Sequence, residues 1–161
     1  GEIVTRGNLV MKGYFGDTDA TREAGAYGWH HTGDIGYLDA DGYLYLVDRK
    51  KDLIISGGFN VFPGEVEQAL SSHAAVEDCA VVGAPHEKWG EEVRAVISLH
   101  NGHAPSSTLA QDIIAFARPM LAAYKTPRAI DFVDEIPRSE AGKVQRKAVR
   151  DRYWTGRARA I

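Results

Sequence analysis

DRKKDLIISGGFNVFPGEVEQAL, residues 48–70, is where the grammar of this chain changes. A cluster of mixed charge at 48–52 is followed by an apolar run at 53–56 that reads as a short strand. Gly57 and Gly58 then free the backbone before Phe59. Pro63 opens a helix expected to reach about Ser71, because proline suits an early helical position where its missing N–H goes unused. Val66 and Leu70 stand one turn apart and face a core.

Downstream, residues 76–82 read as a buried strand. Residues 91–99 alternate through Val93, Ala95, Ile97 and Leu99, as a strand with one wet face does. Thr108 and Gln111 form a capping-box pattern ahead of a helix carrying Leu109, Ile113, Phe116 and Ala117 on one face. Pro119 should end or kink that helix. A strand at 129–133 and a closing helix at 144–153 complete the pattern. Strands and helices in this order predict a small α+β domain over 49–161, a short mixed sheet flanked by helices. Upstream the reading differs. Residues 1–48 suggest short strands broken by glycine-rich turns, with Asp39-Ala40-Asp41-Gly42 as a hairpin turn. That stretch is too short and too rich in glycine for a closed core. It is expected to be the closing β segment of a larger domain, and open strand edges there would invite self-association.

The 161-residue chain has a formal net charge of −3, which gives no reason to expect a nucleic-acid partner. No apolar run approaches the roughly 20 residues that span a bilayer, and the first ten residues do not read as a signal peptide. The single cysteine, Cys79, lies in an apolar run and reads as a buried strand residue rather than a nucleophile. A reducing cytoplasm is the simplest expectation. The histidines show no zinc-ligand spacing, so no metal site is expected in the chain.

Several short motifs point to chemistry. In Thr32-Gly33-Asp34 a carboxylate follows a glycine, an arrangement suited to capping a turn or to meeting a diol at close range. The run Asp48-Arg49-Lys50-Lys51-Asp52 reads either as a solvated loop or as a contact region. Glu65 falls in a first helical turn, where a carboxylate favours the helix dipole, and receives no catalytic role. Near the C-terminus, PRSEAGKVQRKAVR (137–150) sets Lys143 directly after a glycine, on a loop leading into a basic helix.

Taken in order, GWHHTGDIG (28–36), DRKKDLIISGGFNVFPGEVE (48–67) and PRSEAGKVQRKAVR resemble the closing part of an adenylate-forming (AMP-binding) enzyme. The motifs sit nearest those of fatty acyl-CoA and aryl-CoA synthetases. The resemblance covers nearly the whole chain and implies a reaction in two halves. A carboxylic acid, fatty or aryl, reacts with ATP and Mg2+ to give acyl-AMP, and the CoA thiol then displaces AMP. It implies that Asp34 binds the ribose of ATP or AMP, that Arg49 contacts the nucleotide, and that Lys51 is the hinge of a mobile C-terminal domain. Hinges need only residues able to absorb a backbone change, so lysine is acceptable there. Gly57, Gly58 and Phe59 would line the pantetheine tunnel. Trp89, Tyr124 and Arg128 would lie near the CoA nucleotide, although Thr126 stands where some relatives carry a basic residue.

Lys143 would serve adenylation. Bringing a carboxylate to the α-phosphate of ATP costs Coulomb energy unless a cation is supplied, and a long-stemmed ammonium supplies one. The family's Ser/Thr/Gly-rich phosphate loop does not appear in this sequence. The chain is therefore expected to be inactive alone, with the acid pocket and the Mg2+ site on the missing N-terminal domain. A stand-alone CoA- or nucleotide-binding module, a peptide-synthetase adenylation domain and a luciferase-like enzyme remain as alternatives.

Overall fold

The computed structural model describes residues 1–156, which form two compact units divided between Lys51 and Asp52. In the first unit β1 (Glu2–Thr5), β2 (His30–Leu38) and β3 (Leu44–Arg49) make an antiparallel sheet in that order. The turn between β2 and β3 is the expected one: Asp39 Oδ1 accepts the N–H groups of Asp41 and Tyr43, and Gly42 takes φ +86°. A short helix, α1 (Thr18–Ala24), was not foreseen among the strands. Asp17 caps it by accepting the Ala20 N–H at 2.8 Å, a signal hidden among the neighbouring glycines. Large apolar side chains lie open in this unit, Leu9, Phe15, Tyr27, Leu38, Tyr43 and Leu46 among them. The buried hydrophobic core begins only at Ile54.

The second unit is an α+β domain, as expected. Its strands are β4 (Ile54–Ser56), β5 (Phe59–Val61), β6 (Val76–His86), β7 (Gly90–Leu99) and β8 (Ala129–Phe132). Its helices are α2 (Pro63–Ser71), α3 (Ser107–Ala117) and α4 (Arg146–Asp151). The sheet runs β5-β4-β7-β6, and β8 pairs with β7 in parallel. Gly57 and Gly58, at φ +59° and +84°, are the two central residues of a tight hairpin between β4 and β5. Both positions have positive φ, which glycine accepts without the steric cost that a Cβ brings. The strand β5 was not anticipated, because it is only three residues long and a single residue, Phe62, separates it from the helix-opening Pro63.

The centre of the domain is the long β6–β7 pair, antiparallel from Val76↔Leu99 to His86↔Gly90. Its alternating residues feed two cores. Val81, Val93, Ala95 and Ile97 pack with Val66 and Leu70 of α2 and Ile113 of α3. Ala80, Val82 and Val96 pack with Ile136 and with Val149 of α4. The second face of β7 is thus not the wet face that its alternation suggested. Val96 and Ser98 are buried, and Arg94 is drawn into ion pairs with Glu92 and Asp131. The pattern failed there because Ile136 and Val149 of α4, far along the chain, pack on this face with Val96. The cap of α3 also moves: Ser106, not Thr108, accepts the Leu109 N–H, at 3.1 Å. Pro119 falls just past the end of α3, in a short 3-10 turn.

Cys79 is buried beside Ser71, whose Oγ lies 3.3 Å from Sγ. Burial pushes its thiol from 9.0 up to about 11, and the Glu67 and Asp78 carboxylates add to the rise. The unfolded chain would lose this proton near pH 9 while the folded chain keeps it, so this group's contribution to stability falls as pH rises through that window. Urea titrations between pH 8 and 11 should show the decline, by about 2 kcal/mol from this group. Cys79→Ala should be flatter over the same range, and parallel curves for the two proteins would refute the assignment.

Candidate functional site

The first unit brings Asp34 and Arg49 together. They are register partners across β2 and β3, and Arg49 Nε donates to Asp34 Oδ1 at 2.8 Å. Gly33 precedes Asp34 with φ +72°. Thr32 Oγ1 donates to the Ile3 carbonyl and accepts the Asp34 N–H, which ties this stretch of β2, a strand rather than a turn, to β1. A carboxylate and a guanidinium side by side offer an acceptor for hydroxyls and a donor for phosphate or carboxylate oxygens. Both stay partly open to solvent. Lys51 is the last residue of this unit, in a short 3-10 turn. A recess of about 340 Å³ in the same unit, beside Arg6, Lys12 and Trp29, includes none of the expected site residues.

In the second unit the residues expected to meet CoA gather at one end of the β6–β7 hairpin. Gly57 N–H donates to the Trp89 carbonyl at 3.0 Å, and a Cβ on Gly57 would stand 3.2 Å from Trp89 Cδ1. The Arg128 guanidinium carbon lies 3.4 Å from the centre of the Trp89 ring. The His86 ring also stacks on that indole, at 4.3 Å between centroids, and its Nδ1 accepts the Lys88 and Trp89 N–H groups. Phe59 and Tyr124 stack on each other at 4.8 Å, both exposed. Lys125, next to Tyr124, is ion-paired with Glu65 at 2.6 Å. The result is a patch of aromatic faces and cations around a glycine turn. It suits a ligand with planar rings and phosphates.

Lys143 lies apart from this patch. It is exposed, and among the described residues no hydrogen bond or ion pair holds its ammonium. Its backbone, by contrast, is tightly held. Arg138 and Val144 form an antiparallel bridge, Ser139 N–H donates to the Lys143 carbonyl at 2.8 Å, and Gly142 turns at φ +74°. Ion pairs anchor both sides of the turn: Arg138 binds Asp78 of β6, and Arg146 binds Glu67 of α2. The basic helix face expected at Arg146 is therefore not simply solvated. Asp78 stands near the start of β6, whereas Trp89 follows its end. At about 3.3 Å per residue, Asp78 and His86 are roughly 26 Å apart along the strand. The lysine turn and the aromatic patch are anchored at opposite ends of one rigid hairpin.

Asp78, Glu67 and His86 were not singled out from sequence. Their partners lie tens of residues away or, for His86, depend on how a loop closes. No local spacing marks them. Among the described residues no group of His, Cys, Asp and Glu could hold a metal ion, and no helix is long and apolar enough to cross a membrane.

A small α+β domain that presents a lysine on a glycine-preceded turn, with Thr-Gly-Asp in a separate strand pair, fits the C-terminal part of an AMP-binding enzyme. Residues 65–143 match the family described as AMP-binding enzyme C-terminal domain. The chain is 49% identical over 150 residues to a 2-succinylbenzoate–CoA ligase of Geobacillus kaustophilus, covering 93% of this chain and 30% of that protein. It is 44% identical over 153 residues to a feruloyl-CoA synthase of Amycolatopsis sp, covering 95% and 30%. Among solved structures, an ATP-bound RpMatB-BxBclM chimera superposes with a TM-score of 0.89 at 40% identity, again over 95% of this chain and 30% of that one. The chain belongs to the adenylate-forming, AMP-binding enzymes and spans about 30% of the length of these relatives.

The two glycines of the hairpin are not equivalent. A Cβ at Gly58 would meet open space, while one at Gly57 would press on the indole. Either alanine should cost about 1 kcal/mol for the positive φ. Only Gly57→Ala should also change the near-ultraviolet circular dichroism of the tryptophans; equal spectra for the two variants would show that Gly57 does not set the position of Trp89.

Proposed function

We propose that this chain acts as the closing β segment, residues 1–48, and the mobile C-terminal domain, residues 49–161, of an ATP-dependent acid–CoA ligase. A fatty or aryl carboxylate would attack the α-phosphate of ATP to give acyl-AMP and pyrophosphate. The CoA thiol would then attack the acyl carbon and release AMP. Asp34 holds the ribose hydroxyls and Arg49 the nucleotide in this reading. Lys143 spans the carboxylate and phosphate oxygens in the first half-reaction. The Gly57-Gly58-Phe59 turn lines the path of the pantetheine arm, with Trp89, Tyr124 and Arg128 near the CoA nucleotide.

The observation that carries this reading is the separation along β6. A ligand centre that meets Lys143 in one half-reaction and the glycine turn in the other needs the domain to present opposite ends of the hairpin in turn. Lys51, at the division between the compact units, is the residue about which such a rotation would occur. The exposed apolar side chains of the first unit support completion by a larger domain. That domain would supply the phosphate loop, the acid pocket and the residues that hold Mg2+ with ATP. A buried lone thiol fits a reducing compartment, and we assign the enzyme to the cytoplasm.

The test separates the half-reactions in the complete ligase. Lys143→Ala should lower carboxylate-dependent ATP–pyrophosphate exchange by about a hundredfold or more, the scale of lost transition-state charge stabilisation. Thioester formation from supplied acyl-adenylate and CoA should stay within about twofold, because uniform loss is not expected of a group used in one step. Equal loss of both would refute the division of labour.

A further inference from the structure

We propose that Arg138 is the positioning residue for Lys143, clamping the turn that carries the lysine onto the start of β6. The inference deepens the reading of Lys143 above and rests on it. Arg138 uses all three guanidinium nitrogens. Nε and Nη2 donate to Asp78 Oδ2 at 3.0 and 2.5 Å, and Nη1 donates to the Gly142 carbonyl at 2.6 Å. The Asp78 carboxylate is itself fixed, since Oδ1 accepts the Cys79 N–H at 2.9 Å. An unbroken line of hydrogen bonds thus runs from the core strand to the peptide directly preceding the lysine.

That peptide is held at both ends. Its oxygen, on Gly142, accepts from Arg138 Nη1, and its nitrogen, on Lys143, donates to Ser139 Oγ at 3.3 Å. With Gly142 in the left-handed region, the plane of this peptide sets the direction in which the Lys143 side chain leaves the turn. Gln145 closes the other strand of the turn, its N–H donating to the Pro137 carbonyl and its side-chain amide to the Arg138 carbonyl. Arg138 and Asp78 are both partly exposed, and such pairs contribute little to global stability. Their effect here is directional. A planar fork can satisfy a carboxylate and a carbonyl together, whereas a lysine at 138 offers a single ammonium and a different geometry. Placement of the reacting group to within about 1 Å is worth up to about a hundredfold in rate.

The experiment uses Arg138→Ala, Arg138→Lys and Asp78→Asn in the complete ligase, with Lys143→Ala as reference. Each of the first three should lower the kcat of ATP–pyrophosphate exchange by about tenfold or more, while thioester formation from supplied acyl-adenylate stays within about twofold. Arg138→Lys should not rescue, since the charge is kept and the fork is lost. Amide hydrogen exchange supplies a readout independent of turnover. Ser139 and Gly142 should exchange faster in Arg138→Ala, with the β6 amides unchanged. Loss of both half-reactions alike, full rescue by lysine, or unaltered exchange at Ser139 and Gly142 would overturn the clamp. Normal pyrophosphate exchange in Lys143→Ala would instead bring down the reading of Lys143 and with it the purpose of the clamp, an outcome recognisable from that reference variant alone.

Discussion

The β6–β7 pair is the constraint on which the second unit depends. Its ladder runs from Val76↔Leu99 to His86↔Gly90, and its two faces meet separate hydrophobic clusters. Its buried apolar residues are each committed to one core or the other, so a slip of one place would turn both cores inside out. That penalty makes the hairpin a rigid bar. The helices α2 and α3 lie against one face, α4 and Ile136 against the other, and β8 and β4 share the free edge of β7.

A rigid bar with loops at each end can carry two sets of chemistry without mixing them. One end holds the lysine turn through Asp78, and the other holds the glycine turn through the Trp89 carbonyl. The two attachments differ in kind. The lysine turn hangs on charged side chains from distant parts of the chain, Arg138 to Asp78 and Arg146 to Glu67. The glycine turn hangs on a backbone hydrogen bond and on an indole faced by His86 and Arg128. Charge pairs with planar geometry fix a direction, while stacked rings leave a broad surface for a flat ligand. The exposed apolar side chains of the first unit show the opposite condition, strands whose hydrophobic complement is not within the described residues.

Much of the second unit was legible in the sequence where local physics is decisive. The Pro63–Ser71 helix, the strand ending at Ser56 and the end of α3 before Pro119 all follow from proline geometry and apolar spacing. The hairpin Gly57-Gly58 was seen as a flexible break but not as a two-residue turn, since β5 is only three residues long. The α3 cap was assigned to Thr108 because three hydroxyl residues in a row, Ser106, Ser107 and Thr108, look alike in sequence, and only backbone angles distinguish them. The wet face predicted for β7 was covered by α4, a packing decision made far along the chain.

For the proposed site, the sequence by itself determined which side-chain types are on offer: Asp34 after a glycine, the cations around Lys51, the glycine pair, and Lys143 behind Gly142. Side-chain type and short spacing are local properties, so they survive in one dimension. Only the tertiary structure decided that Asp34 pairs with Arg49, that Trp89 lies against Gly57 and Arg128, and that Arg138 reaches Asp78 sixty residues away. Those pairings depend on strand register and on which helix covers which face, and register is set by the burial of the whole sheet rather than by any segment of it.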